Sequence, residues 1–124
     1  MPYTIEKDFT FSASHVLEGL PEGHQCGRLH GHNYVVRLRL RGTRLQEVGF
    51  LYDYGDMRPF GHFIDNTLDH RHLNDVMASN PTAEALAQHL TVIAKGLLSH
   101  LPTGVRISVG VSETPKTWAW WEPS

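Results

Sequence analysis

Between Tyr3 and His15 the chain keeps a period of two. The odd positions read Tyr, Ile, Lys, Phe, Phe, Ala and His, whereas Thr4, Glu6, Asp8, Thr10, Ser12 and Ser14 are all polar. Successive side chains of a strand point to opposite faces, so this stretch predicts a strand with one face buried. From His30 to Leu40 the even positions are His, His, Tyr, Val, Leu and Leu, with Arg37, Arg39 and Arg41 on the other face. That is a second strand. The intervening Leu17 to Leu29 holds Gly19, Pro21, Gly23 and Gly27 and reads as a loop.

The middle of the chain changes period. Asp56 is placed to cap a helix with Pro59 in its first turn, and Phe60, Phe63, Ile64, Thr67 and Leu68 follow at three-four spacing. A second helix is expected with Asn80 as cap, Pro81 at the first helical position and Glu84 at the positive helix end. Its apolar stripe runs from Ala83 through Leu86, Leu90, Ala94 and Leu97 to Leu101. Pro102-Thr103-Gly104 then stops it. Val105, Ile107, Val109 and Val111 alternate with Arg106, Ser108, Gly110 and Ser112 in a further strand ending at Glu113. After Thr114-Pro115-Lys116 a short last strand spans Thr117 to Trp121. The order ββααββ predicts an α+β fold, an antiparallel sheet with the helices on one face.

A chain of 124 residues, without repeat or linker, is expected to form one domain over 1–124. Eleven basic against thirteen acidic side chains leave no basic stripe of the kind a nucleic-acid backbone requires. No apolar run has membrane-spanning length. The N-terminal Met1-Pro2-Tyr3-Thr4-Ile5-Glu6 lacks the basic-then-apolar plan of a signal peptide, which points to the cytoplasm. The single cysteine, Cys26, excludes an internal disulfide. Nine histidines are the compositional oddity.

His30-Gly31-His32 is the strongest local signal. Two residues apart on a strand, the imidazoles project from the same face as Tyr34 and Val36. His15 ends the apolar face of the first strand, and pairing of the two strands would bring it alongside. Three imidazoles without a fourth protein ligand match a catalytic zinc site, which keeps one position open; the alternative is three hydrogen-bonded histidines near a strand end. Cys26 lies four residues before His30 between polar or small neighbours, where a metal and Arg28 would favour the thiolate. Whether as base or nucleophile stays open. Asp69-His70 has the make-up of a proton relay, or of a solvated loop pair. Glu113 follows four inward apolar positions, where a carboxylate needs a partner. That partner is a structural cation or the paired donors of an amidine-like ring edge. His62, His89 and His100 read as solvated, and Trp118, Trp120 and Trp121 as core or subunit contact.

With these residues in view, the chain resembles the 6-pyruvoyl-tetrahydropterin synthase family. The segment Pro21-Glu22-Gly23-His24-Gln25-Cys26-Gly27-Arg28-Leu29-His30-Gly31-His32 is similar to its carboxy-forming, queuosine-pathway branch, which shows the same Cys-x3-His-Gly-His spacing. Leu68-Asp69-His70, Leu73-Asn74-Asp75, Asn80-Pro81-Thr82 and Val111-Ser112-Glu113-Thr114 also resemble family segments, in the right order. The aromatic Trp118-Ala119-Trp120-Trp121 departs from the branch.

The resemblance implies the tunnelling fold: a four-stranded antiparallel sheet with two helices on one face, in trimers that stack in pairs into a homohexamer with active sites between subunits. It implies zinc on His15, His30 and His32, Cys26 as proton acceptor, and Asp69 and His70 as a relay from a neighbouring subunit. Glu113 would grip the aminopyrimidine edge of a pterin and share in catalysis. The implied substrate is a small pterin triphosphate, cleaved by a carbon–carbon lyase, with Arg28, Arg71 and Lys116 as candidate contacts for its triphosphate. Two alternatives stand: the pyruvoyl-forming reaction on the same zinc site, and a zinc-binding domain without turnover.

Overall fold

In a computed structural model that describes residues 1–123, the first alternating stretch is β1, Tyr3–His15, and the second is β2, His30–Gly42. They pair antiparallel along their whole length, from Tyr3 opposite Gly42 to His15 opposite His30. β2 also pairs antiparallel with β4, Arg106–Thr114, which carries β5, Thr117–Trp121, on its far edge. Phe11, Tyr34, Val36, Leu38, Leu40, Ile107, Val109 and Val111 all turn inward and are buried. The α+β expectation and all four strands are thereby found.

The sheet nevertheless has five strands in mixed orientation, not four in antiparallel array. Arg71–His72 forms β3, which runs parallel to β1 beside Ala13 and Ser14, giving the order β3-β1-β2-β4-β5. Two residues carry no periodicity, so sequence pattern had nothing with which to announce this strand. It exists because the chain must return past β1 on its way between the helices.

The first helical region is a composite. A 3₁₀ turn at Tyr54–Met57 leads into α1, Arg58–Phe63, and then into a π turn at Ile64–Leu68. Asp53, rather than Asp56, caps it by accepting from the Gly55 N–H at 2.8 Å. Phe60, Ile64 and Leu68 are fully buried, as their spacing predicts. Gly61 lets α1 approach β1 closely, since a Cβ there would stand 3.1 Å from the Phe9 ring.

The second helix, α2, spans Ala83–Leu97 and packs across β4 and β5. Its cap is Thr82, whose hydroxyl accepts from the Ala85 N–H at 3.1 Å. Asn80 and Pro81 thus lie outside the helix, and Leu101 beyond its end. The physical reason is competition for their polar groups: the Asn80 carboxamide binds the backbone of Glu18, and the Pro81 carbonyl binds His15. Leu86, Ala87, Leu90, Thr91 and Ala94 are the buried side of α2. His62 and His100 are exposed as expected, whereas His89 is half-buried.

The opposite sheet face carries two charged rungs. Arg37 makes a two-point ion pair with Asp8 at 2.8 and 3.0 Å and lies over the Trp118 ring at 4.4 Å. One register step along, Arg39 binds Glu6 at 2.6 Å and lies over Trp120 at 3.9 Å. The three tryptophans separate by parity: Trp118 and Trp120 belong to this face, and Trp121 packs against the core. No helix among the described residues is long and apolar enough to cross a membrane.

Candidate metal centre and flanking carboxylates

The β1–β2 register builds the histidine cluster directly. His15 stands opposite His30, and His32 stands opposite Ala13, whose small side chain leaves space for the His32 ring. The nearest ring nitrogens of His15, His30 and His32 all lie within 4.8 Å of one another. His15 is fully buried and the other two are half-buried. The predicted triad is therefore assembled within one chain.

Its hydrogen bonding fixes which nitrogens are free. Nδ1 of His15 donates to the Pro81 carbonyl at 2.8 Å, and Nδ1 of His30 donates to the Arg28 carbonyl at 2.6 Å. In neutral rings both Nε2 atoms then carry lone pairs, and these two atoms face each other at 2.9 Å. Two lone pairs cannot hydrogen-bond, so the arrangement asks for a cation between them. Nε2 of His32 is buried without a hydrogen-bond partner among the described residues. An orphaned buried ring nitrogen beside two convergent lone pairs fits a metal ion, and three imidazoles with no fourth ligand suit zinc with an open position.

Glu113 comes to the same place. Its Oε2 is 3.7 Å from His32 Nε2, close enough for electrostatic influence and too far for a hydrogen bond. Burial lowers the pKa of His32, with Glu113 raising it and the two other imidazoles lowering it further. The net shift favours neutral His32, the form that ligates metal. Tyr34 completes the floor. Its ring stacks on Phe11 with centroids 4.6 Å apart, and its hydroxyl lies 3.3 Å from His15 Nδ1. Burial, then Glu113, pushes that hydroxyl well above the ordinary phenol range, so it stays protonated.

Cys26 sits in a 3₁₀ turn, Gln25–Gly27, half-exposed, and does not join the metal-binding set among the described residues. Its N–H donates to His24 Nδ1 at 3.0 Å, and its carbonyl accepts from the Leu17 N–H at 3.2 Å. The second of these bonds ties its turn to the segment leaving β1.

Asp69 and His70 do pair, at 2.9 Å between Oδ2 and Nδ1. The π turn positions them: the Asp69 N–H reaches back to the Ile64 carbonyl, after which the chain becomes extended. Asp69 Oδ1 accepts from the Ser12 N–H at 2.9 Å, and the His70 N–H donates to the Ser12 carbonyl at 2.6 Å. The Ser12 N–H, then the His70 ring, hold the Asp69 carboxyl below its usual range. His70 adopts a left-handed φ of 59°, uncommon for a residue with a Cβ and concentrated at functional positions.

The His70 ring is exposed in a depression lined also by Ser12, Ser14, Asn33, Arg71 and, from the triad, His32. Ser12, Ser14 and Asn33 alternate with Ala13, His15 and His32 along their strands, so these three side chains stand on the sheet face opposite the triad. Neither Asp69 nor His70 belongs to the metal-binding set among the described residues. Arg28, Arg71 and Lys116 are all exposed.

Three residues with roles here escaped sequence reading: Pro81, which orients His15 by its carbonyl, and Tyr34 and His72. Nδ1 of His72 lies 3.0 Å from the Ser14 hydroxyl. A backbone carbonyl has no sequence signature. Tyr34 was legible only as a core position.

A family model described as 6-pyruvoyl tetrahydropterin synthase matches residues 4–124. The chain belongs to the 6-pyruvoyl tetrahydropterin synthase family. A 6-carboxy-5,6,7,8-tetrahydropterin synthase of Bacillus subtilis is 33% identical over 98% of this chain and 88% of its own. One from Synechocystis is 36% identical over 68% of this chain and 69% of its own. The solved 6-pyruvoyl tetrahydropterin synthase of Caenorhabditis elegans superposes with a TM-score of 0.84 at 28% identity, covering 100% of this chain and 97% of that one. Membership of this synthase family agrees with a His15–His30–His32 cluster able to hold a metal ion.

Proposed function

We propose that the protein is a zinc-dependent carbon–carbon lyase. It converts 7,8-dihydroneopterin triphosphate to 6-carboxy-5,6,7,8-tetrahydropterin, acetaldehyde and triphosphate, in the route to 7-deazaguanine and queuosine. The observation that carries the reading is the triad itself, with two convergent Nε2 lone pairs and the orphaned Nε2 of His32 beside Glu113. The Cys26-x3-His30 spacing and the names of the Bacillus and Synechocystis relatives favour the carboxy-forming reaction over the pyruvoyl-forming one.

His15, His30 and His32 would hold the zinc. Bound there, zinc supplies a Lewis acid that lowers the pKa of protons beside the substrate's side-chain hydroxyls. Cys26 accepts one such proton as thiolate, from the turn that precedes His30 by four residues. Asp69 fixes the tautomer of His70, which returns a proton elsewhere on the side chain. Glu113 accepts the two parallel donors of the aminopyrimidine edge and thereby orients the pterin over the triad. The relay would come from a neighbouring copy, as the resemblance implies, since neither Asp69 nor His70 joins the triad's set among the described residues of one chain. Such sharing agrees with the homohexamer that the family resemblance implies, a dimer of trimers with active sites between subunits. The protein acts as one domain over 1–124, in the cytoplasm, without nucleic-acid or membrane partners.

The test is mass spectrometry of products after incubating zinc-loaded protein with 7,8-dihydroneopterin triphosphate. Acetaldehyde with the 6-carboxy product is expected. A 6-pyruvoyl product would move the protein to the sister reaction, and unchanged substrate would remove the enzymatic reading.

A further inference from the structure

The segment that leaves β1 behaves as a strand without a neighbouring strand. The Val16 N–H donates to Asn74 Oδ1 at 2.9 Å, and Asn74 Nδ2 donates back to the Val16 carbonyl at 2.8 Å. Two residues on, the Glu18 N–H donates to Asn80 Oδ1 at 2.9 Å, and Asn80 Nδ2 donates to the Glu18 carbonyl at 2.7 Å. Each carboxamide thus makes the same two bonds that a facing peptide makes in a ladder. Because N–H groups alternate sides along an extended chain, the Leu17 N–H points the other way, and it donates to the Cys26 carbonyl at 3.2 Å. Both asparagines follow β3 in sequence and extend the edge it forms beside β1.

We infer that Asn74 and Asn80 are positioning residues: their carboxamides clamp Val16 and Glu18, and through Leu17 they hold the Cys26 turn in place. The clamp is also joined to the histidine cluster. Asn80 holds Glu18, the next residue gives its carbonyl to His15, and Thr82 caps α2. Three consecutive residues therefore connect the Cys26 turn, a ring of the triad and the helix start. The clamp itself stands on geometry alone. Its consequence for turnover rests on the role proposed for Cys26.

The experiment compares Asn74→Ala and Asn80→Ala with the parent after zinc addition. It measures amide exchange at 16–18, the rate of iodoacetamide labelling of Cys26, zinc content, and kcat and KM with the pterin triphosphate. Exchange and labelling are expected to rise roughly tenfold as the turn opens. Zinc content should hold, and kcat should fall roughly tenfold with KM little changed. Asn80→Asp keeps an acceptor for the Glu18 N–H and is expected to fall between. Asn80 is exposed, so its two variants carry the test if Asn74→Ala does not fold. Unchanged exchange and labelling would overturn the clamp, as would zinc loss in step with the labelling. Faster exchange and labelling with unaltered kcat would instead overturn the catalytic role of Cys26 and leave the clamp standing.

Discussion

Gly110 lies in the middle of β4, opposite Arg37 on one side and Trp120 on the other. Replacing it with alanine tests the packing of the face remote from the triad. A Cβ at this position would stand 2.5, 2.6 and 2.7 Å from three atoms of the Trp120 ring. Non-bonded carbons settle at about 3.5–4.0 Å, so the ring must move by about an ångström. Overpacking of this kind costs about 1–3 kcal/mol. Displacing the ring also weakens the Arg39 contact at 3.9 Å, and an exposed cation–π pair contributes about 0.5–1 kcal/mol.

Against this, alanine is more favourable than glycine inside a strand by about 0.5–1 kcal/mol. The net expectation for Gly110→Ala is a loss of about 1–3 kcal/mol, a fall in Tm of roughly 3–10 °C. The assay is thermal unfolding at fixed protein concentration, repeated in a Trp120→Ala background. There the clash is absent, and Gly110→Ala should become neutral or slightly stabilising. Zinc content should be unchanged in every variant, since the triad faces the other side of the sheet. An equal loss of Tm in both backgrounds would refute the steric argument.

Cys26→Ala is expected to fold and keep its metal while losing nearly all turnover; native turnover would remove Cys26 from the mechanism. His30→Ala should abolish stoichiometric zinc binding, measured by atomic absorption after dialysis, because two ring nitrogens cannot replace three. Glu113→Ala should weaken substrate binding more than zinc binding, and equal loss of both in parallel titrations would mean that Glu113 supports the cluster and not the pterin. The folded-state pKa of Asp69 is depressed, so its contribution to stability is present above about pH 4, the unfolded value, and is lost as pH falls through the folded one. The Tm difference between the parent and Asp69→Asn should accordingly shrink on acidification below that pH, and a constant difference would contradict the assignment.

Much of this protein was legible because its longest elements are periodic. Alternation over Tyr3–His15 and from His30 to Leu40 set both strands and the faces of the residues on them. Parity alone placed His15, His30 and His32 on the buried side. Spacing likewise identified Phe60, Ile64 and Leu68 as core, because an amphipathic helix has to bury one stripe wherever it docks.

What sequence could not decide were matters of register, competition and non-local contact. The triad forms because His15 falls opposite His30, and a slip of one residue would send it to the other face. Asn80 and Pro81 are good helix-start residues by local preference, yet tertiary partners at Glu18 and His15 took their polar groups and moved the cap to Thr82. The two-residue β3 has no pattern of its own and exists only because β1 offers it an edge. Local preferences are written along the chain. The partners that overrule them become neighbours only when the chain folds.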